Sequence, residues 1–403
     1  MMRVLFITPR IPFPLRQGDR VICYQRLQSL SKKYAITLVT FYHSPEELES
    51  IKSISEFCEE VHAVYLPKWK SLLNCIECLF SPNNQPFQVA YYRSKQFQSK
   101  LDEITSTNNF DLAHYFLLRV AEYQIPSRIP KVIELIDSMQ LNFSSRIAIE
   151  KNIIKKLILK EELSRVTDYE INVVNEFTKS ILVSQIDADL ITKDAHKIAI
   201  VSSVVNTNIF TPSVNDRSEQ IVKLIFLGRM GYSPNIYAVT WFAKNCFPPI
   251  NHQFPDTRFV IAGADATQEI INLGNKQNIE VTGYVESMTD TLSQSDIAVI
   301  PMQSGSGMQN KILEAMACGL PVVTTTLGLG MIQAIDGESI LIANTVEQFI
   351  AAVSSLIEDE SKRREIGQNG RRFVEANHSL LSAAIKIESI YESVIGTKEH
   401  TRK

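Results

Sequence analysis

An excess of charge of either sign is missing from this chain. Over 403 residues, 41 lysines and arginines face 44 acids, for a formal net charge of −3. Nucleic-acid binding calls for a basic excess, so no nucleic-acid partner is expected. No run of 18 apolar residues occurs, so no membrane-spanning helix is expected. The opening run Val4 to Ile7 is too short for a signal peptide and reads as a first buried strand. Cysteine is scarce and scattered, with six residues at 23, 58, 75, 78, 246 and 318. Cys75-Ile76-Glu77-Cys78 is the one CxxC, with no second pair and no histidine ligands nearby, so no metal is expected there. Reduced thiols and a cytoplasmic setting are the default for such usage.

What is present is an alternation. Apolar strand-like runs and helical periods succeed one another throughout, the mark of parallel α/β sheets. The length allows two domains. In the first half, strands are expected at Val4-Thr8, Ala35-Phe41, Val61-Leu66, Asp111-Phe116, Lys131-Ile136, Ser180-Ser184 and Ile198-Val201. Pro45-Phe57 reads as a helix with Ser44 as its cap, and a long helical segment runs from Met139 to Phe177. A second series begins at Ile221, with strands at Val222-Leu227, Arg258-Ala262, Ile279-Val281, Ile297-Pro301, Val322-Thr325 and Ser339-Ile342. The expected division is 1–203, a hinge and linker at 204–220, a second domain at 221–378, a helical stretch at 379–396 and a polar tail at 397–403. Ligands of open α/β sheets sit outside the carboxyl ends of strands. The candidate loops are therefore 9–19, 116–119, 137–143, 228–235, 263–266, 283–286 and 302–310.

One stretch stands out, Gly305-Ser306-Gly307-Met308-Gln309-Asn310-Lys311-Ile312-Leu313-Glu314, running on to Gly319-Leu320-Pro321-Val322-Val323. It reads as a glycine loop, a helix, a turn and a strand. Glycines let the backbone approach a ligand, and the first turn of a helix offers unpaired N–H groups and a positive dipole end. A phosphate or diphosphate suits that place. Glu314, inside an apolar run, needs a partner. Two hydroxyls of a ribose would serve, and so would Lys311 one turn away.

Three other stretches carry two readings each. Trp69, Leu72, Leu73, Ile76, Leu79 and Phe80 form an apolar stripe, either packed on the domain edge or forming an apolar rim near an acceptor or membrane. Lys151, Lys155, Lys156 and Lys160 lie among Ile153, Ile154, Leu157, Ile158 and Leu159, either a solvated helix face or one resting on an anionic membrane. Asp187-Ala188-Asp189 spells a DxD, read as a helix start with acids near the dipole in preference to a metal site.

At this point the chain resembles the family-4 retaining glycosyltransferases of GT-B fold. The resemblance runs through Arg3-Val4-Leu5-Phe6-Ile7 with the Gly18 loop, Val201 to Pro212, Phe226-Leu227-Gly228-Arg229, Val260-Ile261-Ala262-Gly263, Val281-Thr282-Gly283-Tyr284-Val285, and above all Leu313 to Val323. Within that family the chain is most similar to the exopolysaccharide-associated sugar transferases, through Pro12-Phe13-Pro14 before Gln17-Gly18-Asp19, Ala90-Tyr91-Tyr92-Arg93-Ser94, Asp137-Ser138, Ser233-Pro234-Asn235 and Gln309-Asn310-Lys311.

The resemblance implies two Rossmann-like domains whose parallel sheets face a central crevice, with the C-terminal helix crossing back to the first domain. It implies transfer of a sugar, with retention, from a nucleotide-diphosphate sugar to a glycan or lipid-linked acceptor in surface polysaccharide or glycoconjugate synthesis. No metal and no cofactor beyond the donor are implied. Carried over by position, Gly18 lies against the donor phosphates and Arg229 neutralises the leaving diphosphate. The backbone around Ser306, Gly307, Met308, Gln309 and Asn310 binds the diphosphate, Glu314 the ribose, and Gly283 and Tyr284 lie near the nucleobase. The chain departs from the pattern in three places. Ser306 stands where relatives often carry an acid. Met230 begins the stretch where a lysine is usual after the Gly-Arg pair, and Lys311 is expected to supply that charge. His114 falls two positions early, with Phe116 in the expected place, so His114 reads as a core or wall residue and Asp137 as the crevice carboxylate. Catalytic roles are accordingly expected of Arg229, Lys311 and Asp137. A sugar-nucleotide epimerase of the same fold and a non-catalytic sugar-nucleotide-binding protein remain the alternatives. The cytoplasm is the expected location, with the inner face of the membrane left open as a contact.

Overall fold

Every strand pairing in the computed structural model is parallel, as buried Val/Ile/Leu-rich strands joined by helices require. The structure describes the chain except residues 16, 82–83, 151, 213–220, 305–308 and 402–403, and the side chains of 145, 148–149 and 397–401. Contacts divide it into two units, Met1–Ser202 with Ala383–Lys403, and Ser203–Ser382.

The first unit holds seven strands, β1 (Met2–Thr8), β2 (Tyr34–Tyr42), β3 (Glu60–Tyr65), β4 (Leu112–Phe116), β5 (Lys131–Ile136), β6 (Lys179–Leu182) and β7 (Ile198–Ile200), in the order β3-β2-β1-β4-β5-β6-β7. Its helices are α1 (Gly18–Leu30), α2 (Lys68–Leu79), α3 (Phe87–Ala90), α4 (Lys95–Thr107), α5 (Met139–Ile149), α6 (Ile153–Glu176) and α7 (Gln185–Ile191). The second unit holds β8 (Lys223–Leu227), β9 (Arg258–Ala262), β10 (Ile279–Gly283), β11 (Ile297–Ile300), β12 (Val322–Thr324) and β13 (Leu341–Ile342), in the order β10-β9-β8-β11-β12-β13. Its helices are α8 (Ser233–Trp241), α9 (Phe247–Gln253), α10 (Gln268–Leu273), α11 (Met288–Ser293), α12 (Asn310–Ala317), α13 (Thr326–Leu329), α14 (Val346–Glu358) and α15 (Glu360–Asn377). The last helix, α16 (Leu380–Thr401), begins in the second unit and from Ala383 belongs to the first.

Local chemistry accounts for several boundaries. Ser94, Ser184, Ser287, Thr325 and Asp359 each turn a side-chain oxygen to an N–H of the first turn of the helix that follows. Thr345 and Gln348 form a reciprocal capping box on α14. Pro45–Phe57, expected as an α-helix, forms two 3₁₀ segments, Pro45–Ser53 and Ser55–Phe57. None of their residues is buried, so no packed face holds a regular α-helix there. The expected linker also differs at its start. Val205 pairs with Ser379, and Arg371 donates to the carbonyls of Thr207 and Phe210, which fastens this stretch to the second unit. The polar run 213–220 lies outside the described residues.

The first unit has a polar knot in its core. Arg26 grips buried Glu134 with Nε and Nη2 at 3.0–3.2 Å. His114 lies flat on Phe6 at 4.5 Å between centroids. Its Nδ1 is 2.7 Å from the Tyr391 hydroxyl, and its Nε2 is 3.5 Å from Glu134 Oε2. Burial alone would raise the Glu134 carboxyl. Arg26 and His114 overcome it and hold the pKa at about 2. His114 is thus a fully buried core residue whose partner is supplied by α16.

Candidate functional site

Ligands gather where the strand order of an open parallel sheet reverses, outside the carboxyl ends. In the second unit β8 lies between β9 and β11. The loops after β8 and β11 therefore open side by side, and they carry Gly228-Arg229 and the segment ending in α12.

Lys311 stands at the centre of this edge. Its Nζ donates to Asn235 Oδ1 at 2.6 Å, lies 3.7 Å from Met302 Sδ, and sits 4.9 Å from the centre of the Phe226 ring. Burial pulls its pKa down to about 8, against the opposing charge of Glu314. Burial in turn raises the Glu314 carboxyl, and Lys311 draws it back. The other end of the Asn235 amide donates to the Arg229 carbonyl at 3.0 Å. One buried amide therefore ties the loop after β8 to the lysine on α12. Gly228 leaves room for it, since a Cβ there would stand 2.7 Å from Asn235 Nδ2 and 3.5 Å from Lys311 Nζ. Gly263 adds a second close approach, where a Cβ would fall 1.8 Å from the Gly228 carbonyl oxygen.

The Arg229 side chain is exposed, and its Nε donates to Asp265 at 2.6 Å. Gly283 ends the edge strand β10 with φ +68° and accepts the Gly263 N–H at 3.0 Å, while Tyr284 beyond it is exposed. Gln309 precedes α12, and Asn310 opens that helix and is exposed. Ser306, Gly307 and Met308 lie outside the described residues. Lys311, Arg229, Gly283 and Glu314 thus share one edge of the second unit.

In the first unit the reversal falls at β1, between β2 and β4. A cleft there is lined by Thr8, Arg10, Asp19, Arg20, Phe116 and Leu117 among others. Asp19, one residue into α1, is held by Arg10 and reached by Arg119 Nη1 at 3.5 Å. Burial and neighbouring Arg10 pull the Arg20 guanidinium below its usual range. Gly18 is the first residue of α1, with no heavy atom within 4 Å of where a side chain would begin. Leu117 follows β4 at φ +73° and ψ +150°, a strained region for a branched side chain. The arginines were not singled out from sequence because Arg10 and Arg119 lie far apart along the chain.

Asp137 follows β5, and its residue is exposed. The protein around its carboxyl raises the pKa, and the charge of Asp187 adds to that. Asp137 belongs to the first unit, and Arg229 and Lys311 to the second. The adjoining N–H groups of Ser138 and Met139 are taken up by Asp187 at 2.9 Å and Glu170 at 2.6 Å. Burial lifts Glu170 to about 7. Asp187 thus serves as the third residue of α7 and a bridge to α5, with Ser184 as cap. Among the described residues no three His, Cys, Asp or Glu side chains converge as a metal site would need.

Residues 222–359 match the family described as Glycosyl transferases group 1. A Klebsiella pneumoniae protein described as an uncharacterized 44.6 kDa protein in the cps region is 20% identical over 392 residues, spanning 94% of this chain and 97% of its own. The capsular polysaccharide biosynthesis glycosyltransferase CapM of Staphylococcus aureus is 25% identical over 152 residues, spanning 36% of this chain and 40% of its own. Among solved structures, Anabaena Alr3699/HepE in complex with UDP superposes with a TM-score of 0.63 at 15% identity, covering 97% of this chain and all (100%) of that one. The strand orders and this likeness establish the GT-B architecture. The chain therefore carries a group 1 glycosyltransferase domain at 222–359 on a GT-B fold.

Proposed function

We propose that this glycosyltransferase moves a sugar from a nucleotide-diphosphate sugar to a glycan or lipid-linked acceptor in surface-polysaccharide synthesis on the cytoplasmic side of the membrane. The observation that carries the reading is Lys311, a half-buried cation at the strand-order reversal, fixed by Asn235 one turn from Glu314. The capsule-linked relatives and the UDP complex of a protein of the same fold support the pathway and the donor class.

In such a transfer the bond from the anomeric carbon to the diphosphate breaks, and negative charge grows on the leaving oxygens. Lys311 supplies a point charge to them from a site of low polarity, where it acts more strongly than in water. Arg229 supplies a planar fork once it exchanges Asp265 for phosphate. The N-terminus of α12 faces the same charge, with Gln309 and Asn310 beside it, and the backbone of Ser306, Gly307 and Met308, outside the described residues, is assigned to the diphosphate. Glu314 accepts the ribose hydroxyls, and Gly283 and Tyr284 flank the base. These charges make a metal unnecessary. Gly18 is assigned to the donor phosphates, and Asp137 to orienting the acceptor or donor sugar. The acceptor attacks from the face the diphosphate leaves, so the anomeric configuration is retained.

The test is a panel of UDP-, GDP-, ADP- and dTDP-sugars scored by thermal shift and by transfer to lipid-linked glycan. One donor is expected to raise the melting temperature, because it binds the folded state. Lys311→Ala is expected to keep its fold and lose about 10²–10³ in transfer rate. Normal turnover by that variant would overturn the assignment. Release of free epimerised sugar nucleotide would favour an epimerase.

A further inference from the structure

Helix α2 is turned inside out. The side buried against the protein carries Ser71, Asn74 and Cys78. Asn74 donates to the Arg93 carbonyl at 2.9 Å, and the Cys78 thiol to the Gln85 carbonyl at 3.1 Å. The opposite side carries Trp69, Leu72, Leu73, Ile76 and Leu79, continued by Phe80, and these are 47–85% exposed. An apolar stripe of this size normally packs inward, and one left outside marks a contact surface.

A second apolar surface belongs to the same unit. Ile153, Ile154, Leu157 and Ile158, on the first two turns of α6, are 55–76% exposed. The two helices are joined. Arg165 of α6 donates to the carbonyls of Cys78 and Gln85, each at 3.3 Å, and its guanidinium lies 4.7 Å from the centre of the Phe87 ring. Glu162 accepts the Phe87 N–H at 2.9 Å. The junction therefore falls next to Leu79 at the end of α2 and Phe80 just after it, and one turn beyond Ile158 on α6.

Charge decides what covers this surface. Across 68–80 and 153–160 the ionisable lysines and acids are Lys68, Lys70, Lys155, Lys156 and Lys160 against Glu77 alone. Apolar side chains flanked by lysines on helix faces are the signature of segments that lie in the plane of an anionic bilayer. Trp69 between two lysines has the amphipathic ring favoured at the headgroup level.

We infer that α2 and the first turns of α6 form one docking surface for an anionic lipid bilayer. It deepens the proposed function, on which it rests for the acceptor alone. Both helices lie on connections that leave the carboxyl edge of the first sheet, after β3 and after β5. Gly18 and Asp137 follow β1 and β5 on that same edge. A bilayer held by this surface presents a lipid-linked acceptor to the edge where those loops open.

The experiment is co-sedimentation of the full chain with vesicles of phosphatidylcholine alone and of phosphatidylcholine with phosphatidylglycerol, at low and high salt. Binding is expected to the anionic vesicles and to weaken with salt, with Trp69 emission quenched by brominated lipid. The double variant L72S/I76S, altered only at exposed positions, is expected to lose roughly tenfold in partitioning, and K155E/K156E to lose the preference for anionic lipid. Donor-induced thermal shift, read without vesicles, should stay unchanged in both. Equal partitioning of wild type and both variants overturns the inference. So does a concentration-dependent dimer in sedimentation velocity that L72S/I76S abolishes while vesicles are ignored, because the face then joins two copies. Vesicle binding without any donor shift leaves the docking surface standing and removes the transferase reading.

Discussion

Lys311 gives the site a pH dependence. With a pKa of about 8 in the free protein, it is charged below that value and loses its proton above it. Donor affinity should therefore fall as pH rises through about 8, because a neutral amine offers the diphosphate no charge. Lys311→Arg keeps its charge throughout this range, so isothermal titration should find its profile flat. Asn235 is the second residue to probe. Asn235→Ala removes both hydrogen bonds of the buried amide, at a cost of about 1–3 kcal/mol, and frees the lysine to wander. Transfer should fall more than melting temperature, and a loss in stability alone would mark Asn235 as structural. The placement of Lys311 and Glu314 one turn apart on a helix was legible from their spacing. Asn235 was not singled out as a site residue, because nothing in an amide at a helix start announces that it will reach a lysine 76 positions away.

Elements were legible to the extent that periodicity carries them. Alternating apolar runs sufficed for thirteen parallel strands, whereas the return of the C-terminal helix to the first unit was implied only by the family resemblance. Periodicity did not say which face of α2 points inward. Its stripe has helical spacing whether core or solvent covers it, and the small and polar residues Ser71, Asn74 and Cys78 took the inner side through hydrogen bonds and close packing. The pair of turns at Gly228 and Gly263 is a junction between β8 and β9 that single-strand reading also passes over. Gly263→Ala should be severe there, since its backbone sits at φ +147° and the added carbon would overlap the Gly228 carbonyl. Urea unfolding should show a loss of several kcal/mol, on the order of the largest single-substitution effects, and donor binding should fail with it. A stable, donor-binding variant would mean that the two turns can separate without harm.

At the scale of the whole molecule, α16 is the piece that makes the first unit discontinuous. Tyr391 on this helix is fully buried, meets Tyr34 edge-on at 5.3 Å and bonds to His114. Lys33, next to Tyr34, reaches Glu388 and Glu392 at 3.0 and 3.1 Å. The exposed ion pairs contribute little in water, so the tyrosine should dominate. Tyr391→Ala is expected to cost about 3–5 kcal/mol, by cavity and lost contact, whereas Tyr391→Phe should cost only about 1 kcal/mol for the hydrogen bond. Denaturant midpoints followed by near-ultraviolet circular dichroism would separate the two. Equal effects would place the hydroxyl, and not the ring, at the root of the contact.

This arrangement sets an order of events during synthesis. The ribosome releases residues 1–202 long before α16 exists, so the half-made unit waits with the seat of Tyr391, around Tyr34 and His114, uncovered. Nascent chains with apolar surface still open are held by chaperones or lost to aggregation. For this protein that interval lasts through translation of the entire second unit, and it closes only as the final helix leaves the exit tunnel.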